Sequence, residues 1–125
     1  MSVPFVDFKE QNRMIRKEVD AGFMKVFEKG DFILGEEAQT FEKSFAKYCD
    51  AAHGVGVNSG TDALYLALSA LDIREGDEVI VPTHTFIATA LCVSFAGAKA
   101  VFADIEPDTY NIDPKSFERA ITPRT

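Results

Sequence analysis

The sequence has 125 residues, the size of one ordinary domain, with 46% hydrophobic and 26% charged residues. This composition is sufficient for a packed core and excludes the intrinsically disordered class. The formal net charge of −7 argues against a general affinity for nucleic acid or for an anionic membrane surface.

The N-terminal stretch "MSVPFVDFKEQ" has neither the basic start nor the apolar core of a signal peptide. No apolar run reaches the roughly 18 residues that a membrane-spanning helix requires. A cytoplasmic location is therefore the default expectation. Cys49 and Cys92 are interpreted as free thiols, and two isolated histidines do not indicate a metal site.

Two helices are predicted before residue 53. Asp7 is placed as the N-cap of a helix from about residue 8 to 28, and an apolar turn, "DFILG", separates it from a second helix at 36–49. Apolar residues at i, i+4 spacing predict one stripe along the first helix: Ile15, Val19, Phe23 and Phe27. We expect residues 1–52 to form an N-terminal helical segment.

From residue 53 onward, predicted strands alternate with predicted helices. The strands are "HGVGVN", "EVIVP" and "KAVFAD", and the helices are "TDALYLALSAL", "TFIATALCVSFAGA" and "NIDPKSFERAI". Asp113 is the expected N-cap of the last helix, with Pro114 at its first position. This alternation predicts βαβ units, an α/β fold and a mostly parallel sheet, in a domain that covers residues 53–125.

The turn at residues 58–61 joins the first predicted strand to a helix. Backbone N–H groups at a helix N-terminus are unsatisfied and carry partial positive charge, so they favour a phosphate. Gly60 allows an anion to approach the backbone, and Ser59 and Thr61 add hydroxyl groups. The alternative interpretation is simple helix capping by Ser59 or Asn58.

Two named phosphate motifs fit this turn poorly. A P-loop requires a lysine after its last glycine, and no lysine follows Gly60. The dinucleotide fingerprint is only approximated by Gly54, Gly56 and Gly60, and the next strand ends without an acidic residue. A dinucleotide is therefore the weaker choice, and Gly54 and Gly56 are interpreted as small residues in a buried strand.

The segment "PTHTFIATA" repeats the order of strand end, polar turn and helix. Since parallel strands end at one edge of a sheet, Thr83, His84 and Phe86 are expected beside the 58–61 turn. A planar cofactor with a phosphate would place its ring on Phe86. Core packing is the alternative for Phe86, and His84 is interpreted as a polar lining residue rather than a catalytic base.

Several segments resemble one known family. These are "VNSGTDALYLALSAL", "GDEVIVPTHTFIATA" and "GAKAVFADIEPDTYNID", together with the leading "VPFVDFKEQ" and "GDFILGEE". They are similar to the DegT/DnrJ/EryC1/StrS sugar aminotransferases, which use pyridoxal 5′-phosphate (PLP) on the type I aspartate aminotransferase fold. The resemblance covers essentially the whole chain and implies the N-terminal part of that fold's large domain.

The resemblance also implies roles for individual residues. Gly60 and Thr61, with Ser59 beside them, would hold the cofactor phosphate, Phe86 would stack on the pyridine ring, and Thr83 would line the same pocket.

Three further residues are assigned to substrate binding. In a homodimer with shared active sites, Phe32 and Ile33 of the "DFILG" turn would approach the partner's substrate. His84 is also assigned to the substrate. The implied reaction is amino transfer, with glutamate as donor, to a nucleotide-linked keto sugar.

The family's Schiff-base lysine, and the aspartate that pairs with the pyridinium nitrogen, belong to later segments than residue 125. No catalytic residue is therefore assigned, and the 125-residue chain alone is expected to be inactive. Two alternatives stay open: a PLP-dependent sugar dehydratase of the same family, and a non-catalytic fragment or regulatory module.

Overall fold

The computed structural model describes residues 3–125. The chain divides into two compact units, the first ending at Gly56 and the second running from Val57 to Thr125.

The first unit consists of two helices, α1 (Lys9–Lys29) and α2 (Glu36–Tyr48), as predicted. The N-cap of α1 is Phe8 rather than the predicted Asp7, although the Asp7 carboxylate accepts a hydrogen bond of 2.9 Å from the Lys9 N–H. The helix ends at Gly30, whose φ of 71° is the left-handed conformation that glycine adopts without strain.

The apolar stripe of α1 lies on the surface of this unit. Its four side chains, Ile15, Val19, Phe23 and Phe27, are between 44% and 65% exposed, and no residue of α1 is buried. The rings of Phe23 and Phe27 stack on each other with centroids 6.0 Å apart. The helical period is therefore confirmed, but the described residues of the first unit leave the stripe exposed.

The prediction of a strand at residues 53–58 was wrong. A strand requires a hydrogen-bonded partner, and no strand of the described residues pairs with this segment. Its glycines instead pass close to α2: a Cβ on Gly54 would lie 2.7 Å from the Glu42 carbonyl oxygen, and the Gly56 N–H donates to Glu42 Oε1 at 2.7 Å. Gly54 is thus required by a close backbone approach to a helix, not by burial in a sheet.

The second unit is an α/β structure, which confirms the predicted fold class. In chain order its elements are α3 (Gly60–Ala70), β1 (Glu78–Pro82), α4 (Ala88–Phe95), β2 (Lys99–Ala103) and α5 (Pro114–Ala120). The two strands pair in parallel, from Glu78 opposite Lys99 to Pro82 opposite Ala103. β1, α4 and β2 therefore form one βαβ unit, with two strands in the described residues where three were predicted.

The core of this unit lies between the sheet and its helices. Val81 of β1 and Cys92 and Val93 of α4 are buried together, and Tyr65 and Leu68 of α3 pack against them. This packing fixes α4 against the sheet and α3 against the βαβ unit. It therefore also fixes the turns that lead into the two helices.

A buried carboxylate joins the start of β1 to two other segments. Glu78 is 4% exposed and accepts hydrogen bonds from Lys99 Nζ at 3.0 Å, Arg124 Nη2 at 2.8 Å and Thr122 Oγ1 at 2.6 Å. The Thr122 hydroxyl, followed by the Lys99 ammonium and the Arg124 guanidinium, lowers the pKa of Glu78 to about 2. The carboxylate thus stays ionised in the folded protein at every ordinary pH.

The start of α5 is capped as predicted. The Asp113 carboxylate accepts hydrogen bonds from the Lys115 and Ser116 N–H groups, and Pro114 is the first helical residue. Among the described residues, no helix combines the length and the apolar character needed to cross a membrane.

Candidate functional site

Ser59 is the N-cap of α3. Its backbone is extended, its hydroxyl oxygen accepts from the Asp62 N–H at 3.1 Å, and its hydroxyl donates to Asp62 Oδ2 at 2.7 Å. Its carbonyl oxygen accepts from the Ala63 N–H at 3.0 Å. The capping interpretation is therefore correct for Ser59.

The cap leaves two donors of the first turn free. Among the described residues, no acceptor is hydrogen-bonded to the backbone N–H of Gly60 or Thr61. A Cβ built on Gly60 meets no atom within 4 Å, so the approach to these donors is open. Two free N–H groups at the positive end of a helix dipole, beside an unobstructed glycine, suit a phosphate group.

A second polar turn follows β1. The Thr83 N–H donates to the Ala103 carbonyl oxygen at 2.9 Å, which continues the pairing with β2, and the residues from Thr83 to Phe86 are exposed. Phe86 is 75% exposed, so it does not pack into the core of this unit. It precedes α4, which begins at Ala88, three residues later than predicted, because Phe86 first enters a turn with Thr89.

The topology directs the start of α3 toward the edge where β1 and β2 end. The connection from α3 to β1 covers residues 71–77, and a Cβ on Gly97, just before β2, would lie 3.6 Å from the Glu75 nitrogen, so this connection lies at the amino edge of the sheet. Since α3 packs along the core, its N-terminus points back toward the carboxyl edge. That edge is where open α/β sheets bind their ligands.

The structure adds Tyr110, which the sequence did not indicate as a site residue. Its ring contacts that of His84, with the centroids 5.6 Å apart and the planes inclined by 42°. Tyr110 belongs to the loop after β2 and His84 to the loop after β1. The only local signal is its position in that loop, which does not distinguish it from an ordinary surface tyrosine.

In the first unit, Phe32 and Ile33 lie at the tip of the turn between α1 and α2, with both side chains exposed. The turn has a defined geometry: Leu34 has a φ of 53°, and a Cβ on Gly35 would lie 2.6 Å from the Asp31 carbonyl oxygen. The assignment of Phe32 and Ile33 to substrate binding stays a prediction.

A sequence profile of the DegT/DnrJ/EryC1/StrS aminotransferase family matches residues 13–125. The chain belongs to this family. The match spans both units, from within α1 to the last residue.

One member of the family is closely similar to this chain in sequence. The chain is 50% identical over 123 residues to dTDP-3-amino-3,4,6-trideoxy-α-D-glucose transaminase of Streptomyces venezuelae, covering 98% of this chain and 32% of the relative. This chain therefore spans about a third of the length of that relative.

Solved structures show the same fold. The structure of S. venezuelae DesV in complex with a ketimine intermediate superposes with a TM-score of 0.95 at 50% identity, covering 98% of this chain and 33% of the other. The structure of NtdA from Bacillus subtilis with the bound cofactor PMP gives a TM-score of 0.92 at 34% identity, covering 99% and 29%. The chain therefore has the fold of one part of these larger proteins.

Proposed function

We propose that this protein is a PLP-dependent aminotransferase that converts the keto group of a nucleotide-linked sugar to an amine, with glutamate as the amino donor. The observation that carries the proposal is the pair of N–H groups on Gly60 and Thr61 at the start of α3, which have no acceptor among residues 3–125 and lie beside open space at Gly60. Family membership and the sugar substrate in the name of the Streptomyces relative support it.

The residues of this chain fit the phosphate end of PLP. The backbone N–H groups of Gly60 and Thr61 would donate to phosphate oxygens, and the Thr61 hydroxyl would add a third donor. Ser59 would contribute indirectly, because its hydroxyl holds the first turn of α3 in place.

Other residues fit the ring and the substrate. Phe86 would pack its exposed ring against the pyridine plane, and Thr83 would line the same pocket. When bound, PLP supplies an electron sink for amino transfer. We assign His84 to the sugar, and in a homodimer we assign Phe32 and Ile33 to the partner's substrate.

The test is an amination assay on the protein as its gene encodes it. The protein is incubated with PLP, glutamate and a panel of dTDP- and UDP-linked keto sugars, and products are identified by mass spectrometry. We expect an amino sugar and an equal amount of 2-oxoglutarate. Pyridoxal, which lacks the phosphate, is the matched control and should support much less product.

Two results would contradict the proposal. Loss of water from the sugar without gain of nitrogen would identify a dehydratase. A purified, PLP-loaded protein that aminates none of the sugars would favour a non-catalytic role.

A further inference from the structure

Tyr110 is held in an unusual backbone conformation. Its φ of 59° lies in the left-handed region, which costs free energy for a residue with a bulky side chain. The surrounding loop fixes this conformation: the Tyr110 N–H donates to the Glu106 carbonyl oxygen and the Glu106 N–H to the Asn111 carbonyl oxygen, both at 2.9 Å, and Ile105 and Ile112 form an antiparallel bridge.

The strained backbone presents a ring that contributes little to the core. The Tyr110 side chain is 63% exposed, and its ring contacts that of His84. Strained backbone conformations of non-glycine residues cluster at functional positions.

The ring pair lies close to the proposed cofactor site. His84 is two residues before Phe86, so their backbone positions are separated by at most about 7 Å. β1 and β2 are neighbours, and the loops that carry His84 and Tyr110 both leave the carboxyl edge of the sheet.

We propose that Tyr110 and His84 together form a binding surface for the hexose ring of the nucleotide-linked substrate, an inference that rests on the proposed function. The tyrosine ring packs against the C–H face of the sugar, and the imidazole exchanges hydrogen bonds with its hydroxyl groups. The proximity to Phe86 favours the hexose over the nucleobase, because the hexose carries the reacting carbon.

The strain allows a variant that removes the ring without weakening the fold. Tyr110→Gly relieves the left-handed backbone, so the melting temperature should not fall. Asp72→Gly is the matched control, because Asp72 has the same φ of 59° and lies just after α3, away from the carboxyl edge. Tyr110→Phe keeps the ring and should behave like the wild type.

The measurement is the affinity of the PLP-loaded, gene-encoded protein for dTDP-glucose and UDP-N-acetylglucosamine, each compared with dTDP or UDP by calorimetry. For the wild type we expect at least one sugar nucleotide to bind more tightly than its nucleoside diphosphate. In Tyr110→Gly this difference should fall about tenfold, with the affinity for the nucleoside diphosphate unchanged. Asp72→Gly and Tyr110→Phe should retain it.

The inference is overturned if Tyr110→Gly retains the difference in affinity between sugar nucleotide and nucleoside diphosphate. It is also overturned if Asp72→Gly loses this difference equally, or if the wild type shows no such difference. Any of these results in a protein that aminates keto sugars leaves the proposed function standing. Conversely, an inactive protein in which Tyr110→Gly abolishes the sugar-dependent affinity supports the sugar surface and contradicts the proposed reaction.

Discussion

At the scale of single residues, the turn before α3 serves two purposes with different atoms. Ser59 satisfies the N–H groups of Asp62 and Ala63, whereas those of Gly60 and Thr61 have no acceptor among the described residues. Capping and phosphate binding, which the sequence presents as alternatives, are therefore compatible. The hydroxyl of Ser59 stabilises the helix, and the two free donors are available to a ligand.

The cap can be tested without any cofactor. Ser59→Ala removes the acceptor for the Asp62 N–H, so we expect the free energy of unfolding to fall by about 1 kcal/mol. Urea denaturation of the PLP-free protein measures this change. Ser59→Thr preserves the cap and serves as control. Equal stability of Ser59→Ala and wild type would show that the cap contributes nothing.

At the scale of secondary structure elements, Glu78 connects the first residue of β1 with β2 and with the segment after α5. All three partners donate to the ionised carboxylate, which lowers its pKa from an ordinary value of 4.5 to about 2. Between these values the unfolded chain binds a proton that the folded chain does not. The stabilisation is therefore complete above about pH 4.5 and is lost as the pH falls toward 2.

The lowered pKa of Glu78 gives a prediction for acid unfolding. The urea midpoint of the wild type should fall steadily from pH 5 to pH 3, and Glu78→Gln should show a weaker pH dependence with a lower midpoint at pH 7. Glu118→Gln, at an exposed position of α5, is the control and should follow the wild type. A Glu78→Gln profile parallel to that of the wild type would contradict the assignment.

The elements also show what the sequence could and could not predict. The bounds of β1, the Asp113 cap and the turn before α3 follow from local patterns and were predicted correctly. The apolar run at residues 53–58 looks like a strand, yet pairing depends on a partner that a local pattern does not contain. The contact of Tyr110 with His84 depends on neighbouring strands, so it too required the structure.

At the scale of the whole chain, many large apolar side chains are exposed. The stripe of α1 and the stacked rings of Phe41 and Phe45 on α2 are examples within the first unit. Soluble monomers rarely expose contiguous apolar patches of this kind, so such patches promote association.

Residues 1–125 produced as an isolated chain should therefore form dimers or larger species. Sedimentation velocity over a range of concentrations measures this association. Replacing Phe23 and Phe27 by glutamine should reduce it, because both rings belong to the exposed stripe. A cooperatively folded monomer at every concentration would contradict the expectation.

The central claim, that the N-terminus of α3 holds the cofactor phosphate, is tested most directly by Gly60→Ala. A Cβ at this position meets no protein atom within 4 Å, and in a helix it tilts toward the N-terminus, where the phosphate would lie. Gly22→Ala in α1 is the matched control, because its Cβ also meets nothing.

The dissociation constant for PLP is measured by equilibrium titration of the gene-encoded protein, with melting temperatures recorded alongside. We predict that Gly60→Ala weakens PLP binding by about tenfold or more without lowering the melting temperature, and that Gly22→Ala binds PLP like the wild type. A Gly60→Ala protein with wild-type affinity for PLP would contradict the account.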